Sequence, residues 1–205
     1  MTRRPRHLRS RRAWCTSSSK ITRPRVVGGT SWSPRTPARS VACPEAPRAQ
    51  LRGLWTRVND AGGSVGFLPG ASAEAVEAEL DRRAAALESG TQTGLALMSP
   101  TGSIIGVGFL RRATNELMSH ARVAEAVMID PQRQGRGHGR QLMAVLHRAA
   151  REQGVELLTL DYRDGDGLGD FYGQLGYREV GRVPGLIRVA EGDDRDSVTL
   201  VRRLD

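Results

Sequence analysis

The 205 residues are enough for one domain of ordinary size and too few for two. A composition of 39% hydrophobic and 26% charged residues excludes a chain too polar to fold, and the longest near-apolar run, residues 104–110, is broken by two glycines and falls far short of the roughly 20 residues of a bilayer-spanning helix. The net charge of +9 is uneven: residues 1–50 hold 12 of the 31 basic residues and one of the 22 acidic ones, so residues 51–205 carry a net −2 and have no nucleic-acid footprint of their own.

Residues 1–48 are rich in Arg, Ser, Thr and Pro without helical or strand periodicity, and bury too little apolar surface to offset their conformational entropy. They are expected to be a disordered leader or a start placed too far upstream. Two alternatives are an arm for nucleic acid or another acidic partner, and an organellar targeting segment. Arg11-Arg12 is not followed by an apolar stretch, so export is not expected. Both cysteines, Cys15 and Cys43, fall in this leader. The domain expected over 49–205 therefore has no disulfide framework, no thiolate metal site and no cysteine nucleophile, in keeping with a cytoplasmic protein.

Leu51, Leu54, Trp55 and Val58 mark a short amphipathic helix that Gly62-Gly63 ends. Residues 64–68 read as a loop or short extended piece. Ser72 is placed to cap a helix reaching Leu87, with Gly90 past its end. Residues 93–99 and 103–110, joined by Pro100-Thr101-Gly102, read as a β-hairpin. A polar loop over 113–121 leads to a strand at 122–129. Leu142, Val145, Leu146 and Ala149 mark a helix ended by Gly154. Residues 155–162 are near-continuously apolar, as in a strand buried on both faces. A short helix near 170–175, a strand over 177–183 and a last strand over 197–204 complete an α/β or α+β fold with helices on both faces of a mixed sheet. No strand is evident before Leu51.

The stretch Val127-Met128-Ile129-Asp130-Pro131-Gln132-Arg133-Gln134-Gly135-Arg136-Gly137-His138-Gly139-Arg140 runs from a strand through a Pro turn into a glycine-rich loop that opens a helix. Three glycines leave backbone N–H groups unshielded, and the helix N-terminus adds partial positive charge, which together suit a pyrophosphate. Arg133, Arg136, His138 and Arg140 surround it with cationic and hydrogen-bonding groups. A P-loop is excluded because Gly139-Arg140-Gln141 stands where Gly-Lys-Ser/Thr is needed, and a Rossmann fingerprint because the third glycine position is Arg140.

Gln134-Gly135-Arg136-Gly137-His138-Gly139 resembles the acetyl-CoA loop of the GNAT superfamily of N-acetyltransferases, and Leu157–Asp161 followed by Phe171-Tyr172-Gly173-Gln174-Leu175-Gly176-Tyr177 resembles that family's fifth strand, fourth helix and sixth strand. Within the family the chain is most similar to the tabtoxin-resistance type. The shared features are residues 63–67, Leu160-Asp161 with Phe171-Tyr172, and residues 180–185. The resemblance covers about 51–204. It implies a mostly antiparallel sheet of six to seven strands, splayed between its fourth and fifth strands, where the pantetheine arm of acetyl-CoA inserts. Val127, Met128 and Ile129 would then line the pantetheine and residues 134–140 would hold the pyrophosphate, with no metal involved.

The same resemblance places Tyr172 as the acid that protonates the leaving thiolate and Asp161 as a base or amine anchor. Glu125, two residues beyond the family's base position at Val123, is a second carboxylate for that role or an ion-paired residue. His120 reads as a surface histidine. Leu186 stands where the subgroup has tyrosine, and Gly165, Gly167 and Gly169 loosen the entry to the fourth helix. The expected function is transfer of an acetyl group from acetyl-CoA to the amine of a small molecule (an antibiotic, toxin or amino-acid-like compound) by direct attack. The alternatives are a catalytically silent CoA-binding module and a protein N-terminal or lysine acetyltransferase. The expected partner is the amine, with neither nucleic acid nor membrane; a homodimer is compatible with the family. The acceptor would be read by loops at 63–71, 113–121 and 186–196.

Overall fold

The first helix, α1 (Glu45–Asp60), turns Leu51, Leu54, Trp55 and Val58 onto one face and buries all four, the i, i+3, i+4, i+7 pattern realised as packing. The computed structural model describes residues 38–40 and 45–204 of the chain. The helix α2 (Ala73–Glu88) starts where Ser72 Oγ accepts the Ala75 amide at 3.2 Å, and it buries Val76, Leu80 and Ala84, the first two in one core with α1. Against this pair lies one face of the sheet, with Val107, Phe109 and Met128 in the shared core.

The sheet has seven strands: β1 (Ala38–Ser40), β2 (Gln92–Met98), β3 (Ile104–Arg112), β4 (Ala121–Ile129), β5 (Leu157–Arg163), β6 (Arg178–Ala190) and β7 (Asp193–Arg203), in the order β1-β2-β3-β4-β5-β7-β6. All neighbours are antiparallel except β4 and β5. On the opposite face α3 (His138–Glu152) buries Leu142, Met143, Leu146 and Ala150 against Leu110, Leu158 and Leu160, and the short α4 (Leu168–Gly173) adds Tyr172. Each of those leucines contributes about 1.5–3 kcal/mol by leaving water. The mixed sheet with helices on both faces agrees with the expected fold class.

Four features differ from the sequence reading. The segment set aside as leader contributes β1, whose three residues pair with Ser40↔Leu95 through Ala38↔Leu97, and α1 begins at Glu45. The remainder of the proposed leader lies outside the described residues. Strand β5 is buried on one face only: Leu158, Leu160 and Tyr162 point into the α3 core, while Thr159, Asp161 and Arg163 alternate away from it. Strand β6 runs on to Ala190, past Pro184-Gly185, because at the sheet edge a missing N–H breaks no ladder bond. Residues 186–196, expected as a loop, are mostly the β6–β7 hairpin.

Two features part β4 from β5. They share only three register positions, Ala121↔Leu157 to Val123↔Thr159, after which β4 continues with β3 and β5 with β7. Strand β4 also carries a bulge, one extra residue where Val107↔Met128 gives way to Phe109↔Glu125, with Ala126 at φ +46°. Opposite it stands Gly108, where a Cβ would lie 2.8 Å from Leu146 Cδ1, so the bulge and α3 can both approach only because that residue is glycine. No helix among the described residues is long and apolar enough to cross a membrane.

Candidate active site

The divergence of β4 and β5 opens a cleft of about 630 Å³, walled by residues 123–129 of β4, Leu160–Tyr162 of β5, Tyr172 of α4 and the α1–α2 connection at 63–67. Beyond Val123 the β4 edge facing β5 has no strand partner, so main-chain donors and acceptors line the gap as they would at a sheet edge.

At one end β4 passes into the glycine loop. Asp130 turns the chain: its Oδ1 accepts the Gln132 amide at 3.1 Å, and its Oδ2 accepts two hydrogen bonds from Arg57. Gln134 Nε2 donates back to the Ile129 carbonyl at 3.2 Å, and His138 Nδ1 donates to the Arg133 carbonyl at 2.9 Å. Gly135 and Gly137 adopt φ of +71° and +81° with nothing within 4 Å of where a Cβ would sit. Helix α3 is capped by Gly137 with no side-chain hydrogen bond, so its first amides are left for an external acceptor. This donor set fits a pyrophosphate. Arg133, Arg136 and Arg140 stand exposed around it, Arg140 also donating to Gln174 Oε1. Val127 and Ile129 turn their side chains to the α3 core and Met128 turns to the α1–α2 core, so all three present only their backbone to the gap.

Tyr172 is buried, and its ring meets Phe171 at 5.0 Å, Tyr177 at 5.7 Å and Tyr162 at 6.2 Å. Burial pushes its phenol up to about 12, so it stays protonated at neutral pH with its hydroxyl unpartnered among the described side chains. Asp161, on the exposed face of β5, borders the same cleft and accepts Thr199 Oγ1 at 2.5 Å. Glu125 also borders it, but both oxygens are engaged: Oε2 accepts Arg83 Nη1 at 2.8 Å and Gln92 Nε2 at 3.2 Å, and Oε1 is paired with Arg111. His120 lies outside the cleft, exposed ahead of β4.

Three groups escaped the sequence reading. Arg83 stacks over Phe109 at 5.0 Å and Trp55 at 5.9 Å while holding Glu79 and Glu125. His147 is buried behind Tyr172, its Nδ1 accepting Arg202 at 3.2 Å and its Nε2 donating to Tyr177 Oη at 3.0 Å. Burial lowers its pKa to about 4, helped by Arg202 and Arg151. A histidine within the apolar stripe of α3 was the available signal. Arg163 ends β5 and reaches the α1–α2 connection, a contact no local pattern announces.

Residues 93–179 match the family model described as an acetyltransferase (GNAT) domain. Among solved structures, the chain is similar to a GNAT superfamily phosphinothricin acetyltransferase from Sinorhizobium meliloti in complex with acetyl-CoA, with a TM-score of 0.67 and 15% identity over 83% of this chain and 89% of that one. It is similar to the ribosomal-protein-alanine N-acetyltransferase from Brucella melitensis, with a TM-score of 0.65 and 19% identity over 82% and 99%. A GNAT-family acetyltransferase from Streptococcus pneumoniae gives a TM-score of 0.63 and 16% identity over 82% and 99%. The fold is that of the GNAT acetyltransferases, and residues 93–179 carry the match to the acetyltransferase (GNAT) domain. The domain match and the shared fold support an acetyl-CoA-dependent N-acetyltransferase.

Proposed function

We propose that the enzyme moves an acetyl group from acetyl-CoA to the primary amine of a small molecule by direct attack, in the manner of the tabtoxin-resistance and phosphinothricin types. The observation that carries the reading is a single cleft with an anion-binding glycine loop at one end and Tyr172 and Asp161 within it. Amides of residues 135–140 hold the pyrophosphate, and the free backbone edge at 127–129 pairs with the pantetheine amides. Acetyl-CoA supplies a thioester carbonyl; the new N–C bond forms as the C–S bond breaks. Asp161 anchors the amine and receives its proton, and the Tyr172 hydroxyl gives its proton to the departing thiolate. Glu125, held by Arg83, Arg111 and Gln92, shapes the wall and takes no proton. A small acceptor is favoured over a protein chain because the 63–67 connection adds a wall to the cleft. The cytoplasm, where acetyl-CoA is made and used, is the matching compartment.

The first test is the thermal midpoint of the protein against acetyl-CoA, with ATP and NAD as controls. Ligand at about 100 times its Kd stabilises a fold by about 2.7 kcal/mol. A shift specific to acetyl-CoA, followed by CoA thiol release with small amines and none with peptide N-termini, is the expected result. The absence of any shift in a folded sample overturns the reading.

A further inference from the structure

The two walls of the cleft are separately built. On one side the α1–α2 connection is fastened to α1: Trp55 Nε1 donates to the Val65 carbonyl at 3.1 Å, Asn59 Nδ2 to the Leu68 carbonyl at 2.7 Å, and Asp60 Oδ1 accepts the Gly70 amide at 3.2 Å. These ties make α1 and residues 62–70 one body. On the other side β5 is laced to β7 along its whole length, and Asp161 is held by Thr199 within that body. Where β4 and β5 part, no ladder joins the two.

One side chain does. Arg163, the last residue of β5, donates from Nη2 to the Gly62 carbonyl at 2.7 Å, across 101 residues of chain. Among the described residues it is the one side-chain hydrogen bond between β5 and the α1–α2 connection. The guanidinium is itself fixed, its Nε and Nη2 meeting Asp166 Oδ2 at 3.1 and 2.5 Å, and its side chain is only 15% exposed. Arg163 shares its strand face with Asp161, two residues earlier, and with Gly62 it lines a second pocket of about 200 Å³ that has Gly63 and Phe67 in common with the cleft. Nε and Nη2 of Arg163 both reach one oxygen of Asp166, and the second Nη2 hydrogen is aimed at the Gly62 carbonyl, a geometry a lysine reproduces only in part.

We propose that Arg163 is a positioning residue for the acceptor: by strapping Gly62 to the end of β5 it sets the separation between the 63–67 wall and Asp161, and so the size of amine admitted. This rests on the acetyltransferase reading above.

The test compares the full-length wild type with Arg163→Ala and Arg163→Lys. Hydrogen–deuterium exchange reads the strap itself, and CoA thiol release across a panel of free amino acids, their amides and spermidine reads the acceptor. In Arg163→Ala the amides of 62–67 are expected to exchange at least about fivefold faster while those of α3 and β7 keep their protection. The acceptor KM rises about tenfold or more, or the panel broadens towards larger amines, with the KM for acetyl-CoA within about twofold of wild type. Arg163→Lys recovers part of both effects. Unchanged exchange at 62–67 overturns the proposal, as does faster exchange with an unaltered acceptor pattern or a uniform loss of protection throughout the domain. A wild type that shows no midpoint shift with acetyl-CoA sinks the acetyltransferase reading instead, and the exchange result then stands or falls alone.

Discussion

Arg57 and Asp130, 73 residues apart, meet at the end of β4: the guanidinium donates from Nε at 3.0 Å and Nη2 at 2.6 Å to a single carboxylate oxygen. The other oxygen of Asp130 holds the first amide turn of the glycine loop. Helix α1, which also lines the cleft through Val58, thereby sets the glycine loop at the end of β4.

Arg57→Ala releases that anchor. The arginine is 48% exposed, so the pair contributes well under about 1 kcal/mol to the fold. Acetyl-CoA affinity is expected to fall about three- to tenfold with a midpoint change of a few degrees at most, measured by titration calorimetry and thermal melting. A large loss of stability with intact affinity would contradict the link between the two.

Gly137→Ala places a Cβ in open space at φ +81°, where an L-residue costs about 1–2 kcal/mol. Acetyl-CoA binding weakens because the same backbone must present its amides. Gly108→Ala, by contrast, meets Leu146 at 2.8 Å beside the β4 bulge and destabilises the fold by about 1–3 kcal/mol through overpacking. Parallel denaturant melts and acetyl-CoA titrations separate the two effects.

Tyr172→Phe keeps the ring among Phe171, Tyr162 and Tyr177 and removes only the hydroxyl. A fall in kcat of about 10²-fold or more is expected with the acetyl-CoA midpoint shift retained. Unchanged turnover would take Tyr172 out of the chemistry and leave it as a core aromatic.

The two carboxylates separate by kinetics. Asp161→Asn lowers kcat by about 10²-fold. Glu125→Gln removes the charge shared by Arg83 and Arg111, and acts mainly on acceptor KM by loosening the wall. The reverse pattern would transfer the base role to Glu125.

His147 makes stability depend on pH. Its folded pKa of about 4 lies below the ordinary 6.5, so between these values the unfolded chain binds a proton that the folded one refuses. Its contribution is complete above about pH 6.5 and is lost as pH falls towards 4, by up to about 3 kcal/mol. Denaturant melts from pH 7 to 5, above the carboxylate range, show the slope in wild type; His147→Gln flattens it.

Much of the site was legible locally. The Ser72 cap, the hairpin turn at 99–103 and the glycine loop are short-range patterns, and each appears where the sequence put it. Strand β5 misled because its apolar residues were counted without their period: Glu156, Thr159 and Asp161 interrupt the run, and Thr159, Asp161 and Arg163 share the face turned away from the α3 core. Strand β1 has no periodicity to read in three residues and exists through its pairing with β2. Pro184-Gly185 looked like a stop, yet an edge strand tolerates both.

What the residues alone determined are the pieces: which segments are helix or strand, and where backbone amides lie bare at Gly135–Gly139. Those follow from interactions within a few residues. The cleft itself was decided by tertiary structure, because it is an absence of pairing between two strands each committed to another neighbour. The surroundings of Glu125 and Arg163 were decided the same way. Their partners lie 42 and 101 residues distant, and only the folded chain brings a guanidinium to a carboxylate or a carbonyl over such separations.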